Sequence, residues 1–173
     1  MTPFLGTKSF REIFNAWLSV LASSSNDTVF LTPDWQQTWY QELGQGGELL
    51  LLTLGQNPVL GIAPLLRQGD NITFVGERDV YDYCDFPIVR GKEREFFSSL
   101  ISWMTEETWK QMNLFSIPED SPTLKYLPYL AKNSGFLVSQ EREDVCPGIH
   151  LPSTWDEYLS MLSKKDRHEL RRK

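Results

Sequence analysis

Three apolar runs separated by two turn signals, all between Glu48 and Arg90, constrain this chain more than any other stretch. Gly55-Gln56-Asn57-Pro58 and Gln68-Gly69-Asp70-Asn71 are turn sequences, because glycine supplies positive φ and proline and asparagine favour bends. The runs they delimit, residues 48–54, 59–67 and 72–76, have strand length and are rich in Leu, Val and Ile. Sequential strands joined by short turns pair antiparallel, so the stretch predicts a meander. Its last strand delivers Asp82-Tyr83-Cys84-Asp85 to one end of a sheet.

Helical periodicity surrounds the meander. Phe10, Ile13, Phe14, Trp17, Leu18 and Leu21 fall on one stripe of a helix that Ser9 can cap and that Ser23-Ser24-Ser25-Asn26-Asp27 ends. Val29-Phe30-Leu31 reads as a short strand or a buried entry. Thr32 then caps a second helix with Pro33 at its first position, Trp35, Trp39 and Leu43 on one face and Gly44 at its end. Residues 86–89 are expected as a fourth short strand. A helix from Gly91 to about Glu107 follows, with Phe96, Phe97, Leu100, Ile101 and Met104 inward, and then a strand at 111–117. Strand–helix–strand over 86–117 implies a parallel step, so the fold class is mixed α/β with helices on both faces of the sheet.

Asp120-Ser121-Pro122 opens another helix carrying Leu124, Leu127 and Leu130, which Pro128 is expected to kink or split. Residues 136–139 and 148–151 read as late strands flanking a charged bend at 140–144. Thr154 with Glu157 fits a capping box for a last helix bearing Trp155, Tyr158, Leu159 and Leu162. Good helix formers run on to Lys173 with no stop signal, so a single helix is expected to lead toward a further domain. The expected division is 1–152 as one domain and 153–173 as a linking basic helix.

A chain of 173 residues suits one domain with a full core. Its net charge of −6 is unevenly spread: Lys164 to Lys173 holds six basic residues against Asp166 and Glu169, leaving eleven basic and 21 acidic residues elsewhere. An acidic body argues against DNA, while the basic end points to an anionic partner. Cys84 and Cys146 form no CxxC, which implies a reducing compartment. The N-terminus lacks a signal-peptide run, and no stretch approaches the roughly 20 apolar residues of a membrane helix. The expected location is the cytoplasm, without a transmembrane segment.

Candidate chemistry is concentrated at Asp82, Tyr83 and Asp85, with Asp79 and Tyr81 nearby. Carboxylates and a phenol in a cleft can serve an amine or hydroxyl as base or as hydrogen-bond acceptors, or the Asp side chains can cap loop amides. Cys84 has no base close in sequence, His150 and His168 being distant, and reads as a small buried hydrophobe. Neither a G-x-S-x-G elbow nor an H-E-x-x-H or other His/Cys cluster is present, so no metal is expected. On one helix, Lys164, Arg167 and Arg171 share a face at i, i+3 and i+7, where donor phosphates could lie, or they form a solvated charged face. Trp35 and Trp39 read as core rather than as a sugar platform.

The element order is similar to the GNAT acyltransferase fold. More narrowly, the chain resembles the N-terminal half of FemAB-like and CelD-like tandem acyltransferases of peptidoglycan, exopolysaccharide or cellulose biosynthesis. The residues carrying the resemblance are Thr32-Pro33-Asp34-Trp35, Gly61-Ile62-Ala63-Pro64-Leu65, Asp82-Tyr83-Cys84-Asp85, Ile117-Pro118-Glu119-Asp120-Ser121-Pro122, Leu151-Pro152-Ser153-Thr154-Trp155-Asp156-Glu157-Tyr158 and the basic run from Lys164. The resemblance implies acyl or aminoacyl transfer from acetyl-CoA or another acyl donor onto an amine or hydroxyl of a cell-envelope sugar or peptide. It also implies a second, C-terminal GNAT half that holds the donor. Asp82, Tyr83 and Asp85 would touch the acceptor; Lys164, Arg167 and Arg171 would face the donor or the other half. The family's pyrophosphate loop, Q/R-x-x-G-x-G/A, is matched literally by Gln41 to Gly46, but with a helix before it and a strand after, so that stretch reads as a helix C-cap. Topology calls for the loop at Arg90-Gly91-Lys92-Glu93-Arg94, where Glu93 would repel a phosphate. The alternative is a stand-alone binding or assembly module that keeps the fold without the chemistry.

Overall fold

The computed structural model describes residues 4–6, 8–44 and 46–172; Gln45 of the literal loop match and Lys173 of the basic run lie outside the described residues. Contacts divide the chain into two compact units, Met1–Glu141 and Arg142–Lys173.

In the first unit the meander forms the sheet. Strands β1 (Phe4–Leu5), β2 (Glu48–Leu54), β3 (Gly61–Gln68), β4 (Asn71–Phe74) and β5 (Gln111–Asn113) lie side by side in chain order. The first three pairings are antiparallel and β4–β5 is parallel, the step expected after a helical crossover. Gly69, at φ 60, opens the two-residue turn between β3 and β4, as a glycine-first hairpin turn requires. Pro64 stands inside β3 and has no N–H to give. β4 ends beside it at Phe74, and the Pro64 carbonyl accepts the Val75 N–H at 3.1 Å as the chain leaves the sheet.

Both faces of the sheet are covered, which is why β2 is a leucine run rather than an alternation. Leu51 and Ile62 pack with Phe10, Ile13, Trp17 and Leu21 of helix α1 (Phe10–Ala22). Leu50, Leu52 and Leu54 belong to the larger core of the opposite face, with Phe96, Phe97 and Leu100 of α3 (Glu93–Glu106) and Leu127 and Ala131 of α4 (Pro122–Asn133). Trp39 of α2 (Pro33–Glu42) joins that core, with Trp35 packed against it. Gly61 is required there: a Cβ would stand 2.4 Å from Cδ2 of the fully buried Phe96.

Local signals set the helix starts. Ser9 Oγ accepts the Glu12 N–H at 3.3 Å while the Glu12 carboxylate takes the Ser9 N–H at 2.8 Å. Thr32 caps α2 and Ser121 caps α4, each with proline next.

Several expectations are corrected. Residues Val29–Leu31 form a 3-10 turn and not a strand, and lead directly into α2 with Leu31 buried. Leu43 is 57% exposed because α2 ends at Glu42, and the next residue turns out of the stripe. Residues 86–89 contribute one bridge, Gly61 to Ile88, since Pro87 cannot donate to a ladder. The strand expected at 111–117 pairs only over Gln111–Asn113, and the chain then bends at Ser116, φ 52. Helix α4 runs unbroken through Pro128, so it is not split there.

No strand forms at 136–139 or 148–151, because apolar residues of strand length make a ladder only where a neighbouring edge is offered. The final helix is two helices, α5 (Trp155–Met161) and α6 (Lys164–Arg172), both in the second unit. Leu162 is extended, at φ −79 and ψ 151, and Ser163 starts α6 by accepting the Asp166 N–H at 3.2 Å. A hydroxyl cap inside a run of helix formers thus breaks the helix. No helix among the described residues is long and apolar enough to cross a membrane.

Candidate functional site

Beyond β4 the chain makes a tight turn, in which the Val80 and Tyr81 N–H groups both donate to the Glu77 carbonyl at 3.0 Å. Gly76, at φ 147, lets the Tyr81 ring approach to 3.0 Å from where a Cβ would stand. The following segment is pinned by the Cys84 N–H on the Ser116 carbonyl at 2.8 Å. Ser116 is a non-glycine residue held in the left-handed region, the kind of local strain that surrounding structure must enforce. The pinned segment turns Tyr81, Cys84 and Asp85 inward, leaves Asp82 exposed and holds Tyr83 half-buried. Asp79 is also exposed.

Asp85, 2% exposed, collects donors from two distant parts of the chain and from its own neighbour. Its Oδ1 accepts the Phe86 N–H at 2.8 Å and the Thr123 hydroxyl; its Oδ2 accepts the Ser121 hydroxyl at 2.6 Å and the Asn26 side-chain amide. Four donors match the four lone-pair positions of an ionised carboxylate. Burial nonetheless pushes its pKa above the ordinary carboxylate value, against the Ser121, Thr123, Phe86 and Asn26 hydrogen bonds that pull it down. Asp85 therefore ties together the loop after α1, the segment after β4 and the first turn of α4. Of the two carboxylates singled out in the sequence, it is the one that lies in a cavity.

That cavity, of about 240 Å³ and partly open to solvent, is lined by residues 25–28, Leu31, residues 83–85 and Pro118. Tyr83 and Asp85 both border it; Asp82 does not. Thr28, another bordering residue, has its hydroxyl oxygen buried without a hydrogen-bond partner. A second hollow, of about 350 Å³, lies between Met104, Trp109, Lys110 and Phe136 and contains none of the candidate residues.

Beside the cavity Phe30, Trp35, Trp39 and Tyr81 form an aromatic nest. Phe30 meets Trp35 edge-on at 5.2 Å between centroids, and Tyr81 meets Trp35 and Trp39 edge-on, each at 6.2 Å. Trp39 is core here and Trp35 packs against it, half-buried. The indole N–H groups of Trp35 and Trp39 and the Tyr81 hydroxyl are buried without partners. Burial, and next the neighbouring Cys84, push the Tyr81 phenol pKa far upward, so it stays protonated. Cys84 itself is 3% exposed.

The two stretches weighed as phosphate loops are both occupied by the chain's own groups. The Gly44 N–H turns back onto the Trp39 and Tyr40 carbonyls, closing the end of α2. At residues 90–94, Gly91 adopts φ 83 and its N–H donates to the Glu93 carboxylate at 3.1 Å, while Lys92 pairs with Glu95 at 3.4 Å. A phosphate there would have to displace a carboxylate from its donor.

Lys164, Arg167 and Arg171 all lie on α6, in the second unit, at the spacing of one helix face. Lys164 and Arg171 are exposed, whereas Arg167 is half-buried and donates to the Leu162 carbonyl at 3.2 Å across the helix break. Of the residues grouped around Asp85, sequence reasoning missed Asn26, Thr28, Ser121 and Thr123 as site residues. Ser121 carried the only local signal, its helix cap.

No family model, curated protein or solved structure matches this chain.

Proposed function

We propose that this chain is the N-terminal, acceptor-side half of a GNAT-type acyltransferase. The transfer is of an acetyl or aminoacyl group onto an amine or hydroxyl of a cell-envelope sugar or peptide, in the cytoplasm. The observation that carries the reading is the cavity bordered by Tyr83 and Asp85 where the chain leaves an antiparallel meander, just before the crossover to a parallel strand. Further support comes from the 90–94 loop, whose glycine N–H is already bonded to Glu93; a donor site is then expected in a second GNAT half, not here. In this reading Tyr83 and Asp85 form the wall of the acceptor site, and Asp82, exposed, lies outside the cavity. Lys164, Arg167 and Arg171 serve the donor's phosphates or the second half. The acceptor, once deprotonated, attacks the donor's thioester or ester carbonyl, backbone N–H groups stabilise the oxyanion, and collapse breaks the C–S or C–O bond, the thiolate or alkoxide leaving and taking up the acceptor's proton.

Calorimetric titration with acetyl-CoA at low salt tests the division of labour. The chain alone is expected to give no heat; micromolar binding would instead make it a complete acetyltransferase. A second reading, a binding module of the same fold without chemistry, is favoured by the filled lone pairs of Asp85, since a carboxylate holding four donors is a poor general base. Acetyl transfer by the chain paired with a donor-binding half, lost in Tyr83→Ala, would exclude that module.

A further inference from the structure

The sheet ends on β5, which pairs with β4 and has no strand on its other side among the described residues. The N–H and C=O groups on that side are open to another chain. Edge strands are commonly blunted by proline or by charge, and Gln111-Met112-Asn113 holds neither. Apolar surface lies beside the edge. Trp109, two residues ahead of β5, meets Phe136 at 5.3 Å between centroids, and the next residue, Leu137, is fully exposed.

A matching strand stands unpaired in the second unit. Every residue from 145 to 151 is exposed, and none joins a ladder. Val145, Pro147, Ile149 and Leu151 alternate with Cys146, Gly148 and His150, so extended chain puts the apolar ones on one face. Pro147 has no N–H to give, which leaves Gly148-Ile149-His150-Leu151 for a ladder, one residue longer than β5. Lipid would leave the backbone groups of such a segment unsatisfied, whereas a sheet edge serves both its backbone and its apolar face.

The second unit also buries very little. Leu159 is its one buried residue among those described, while Val145, Ile149, Leu151, Trp155 and Met161 are each more than half exposed. One buried side chain does not offset the entropy of ordering a unit of this size, so the unit needs a surface to rest on. Charge favours a second copy as that surface. Helix α6 carries five basic and two acidic residues, whereas the first unit holds ten basic and 17 acidic.

We infer that two copies of this chain dimerise by strand exchange, residues 148–151 of each adding a strand to the β5 edge of the other. Each copy both gives and takes, so the pair closes about a two-fold axis and covers both β5 edges. The inference is independent of the acyltransferase reading.

Cys146 offers the test, being exposed and just ahead of the exchanged strand, whereas Cys84 is buried. Chain carrying a nitroxide on Cys146 is mixed with nitrogen-15 chain carrying Cys146→Ser. In a control, the nitrogen-15 copy itself carries the nitroxide and is diluted into unlabelled chain. Broadening of the Met112 and Asn113 amide signals is expected in the mixture, with light scattering showing a dimer whose fraction rises with concentration. A monomer at every concentration, a dimer without that broadening, or broadening confined to the control overturns the inference.

Ile149→Pro removes an N–H from the middle of the exchanged strand and is expected to weaken dimerisation at least tenfold. Leu151→Asp keeps the N–H but charges the apolar face, and is expected to weaken it severalfold. Neither substitution alters a buried residue, so the dilute monomer is expected to melt as the native chain does. A dimer unaltered in both variants overturns the inference.

Discussion

Tyr81 and Asp85 are four residues apart, equally buried, and opposite in kind. Asp85 sits among donors that all find it, drawn from Asn26, Phe86, Ser121 and Thr123. Tyr81 sits among aromatic rings, and its hydroxyl and the indole N–H groups of Trp35 and Trp39 find no acceptor. The first environment is specified by direction and tolerates little change. The second is held by apolar area and ring geometry, and its orphan donors subtract from what the area contributes. Segments far apart in sequence are therefore joined specifically at Asp85 and merely packed at Tyr81.

The largest expected effect breaks the polar joint. Asp85→Ala strands four donors, one of them a backbone N–H that cannot turn to find water, and is expected to cost about 3–5 kcal/mol in urea unfolding. A loss under about 1 kcal/mol would mean that the carboxylate is dispensable and the joint is not specific.

The same residue has a pH signature. Because its folded pKa is raised, its contribution is fully present below the ordinary carboxylate pKa and is lost as pH rises through the raised value. Stability of the native protein minus that of Asp85→Asn is therefore expected to fall with rising pH over that window. A difference that rises instead would show the hydrogen bonds outweighing desolvation.

Ser121→Ala removes one donor from Asp85 and the acceptor for the Thr123 N–H, at 2.9 Å. About 1–2 kcal/mol is expected from the lost cap and the weakened joint. Asp85→Ala should make most of that loss disappear in the double variant, a coupling that a cap acting alone would not produce.

On the aromatic side, Tyr81→Phe deletes a buried hydroxyl with no partner. It is expected to leave stability unchanged or raise it by up to about 1 kcal/mol, whereas a clear loss would reveal an acceptor for that hydroxyl. Smallest of all, replacing Lys164, Arg167 and Arg171 singly with Ala is expected to shift melting by less than about 0.5 kcal/mol each. Arg167 is the one to watch, because it alone of the three reaches a backbone carbonyl.

The sheet, the helix starts and the inward faces of α1 and α3 were legible because their signals are local. A leucine run between turn sequences, an apolar stripe at 3.6 spacing and a hydroxyl before a proline each act within about a dozen residues. The late strands were misread for the same reason. The apolar residues of 136–139 and 148–151 make a local pattern, but a strand exists only beside a second strand. The break between α5 and α6 was legible in principle at Ser163 and Asp166, and was hidden by good helix formers on both sides.

Asp82 and Asp85 mark the limit most sharply. They are equivalent by composition and spacing, yet one faces solvent and the other is the most heavily hydrogen-bonded carboxylate described. Local pattern placed both at the sheet end, where the meander delivers them. Which one is buried depends on Asn26, Ser121 and Thr123 arriving from 59, 36 and 38 residues away. Those meetings are settled when the loop after α1 and the first turn of α4 close over the segment leaving β4. Burying a carboxylate costs too much unless its partners arrive together, and nothing within a dozen residues of Asp85 announces that they will.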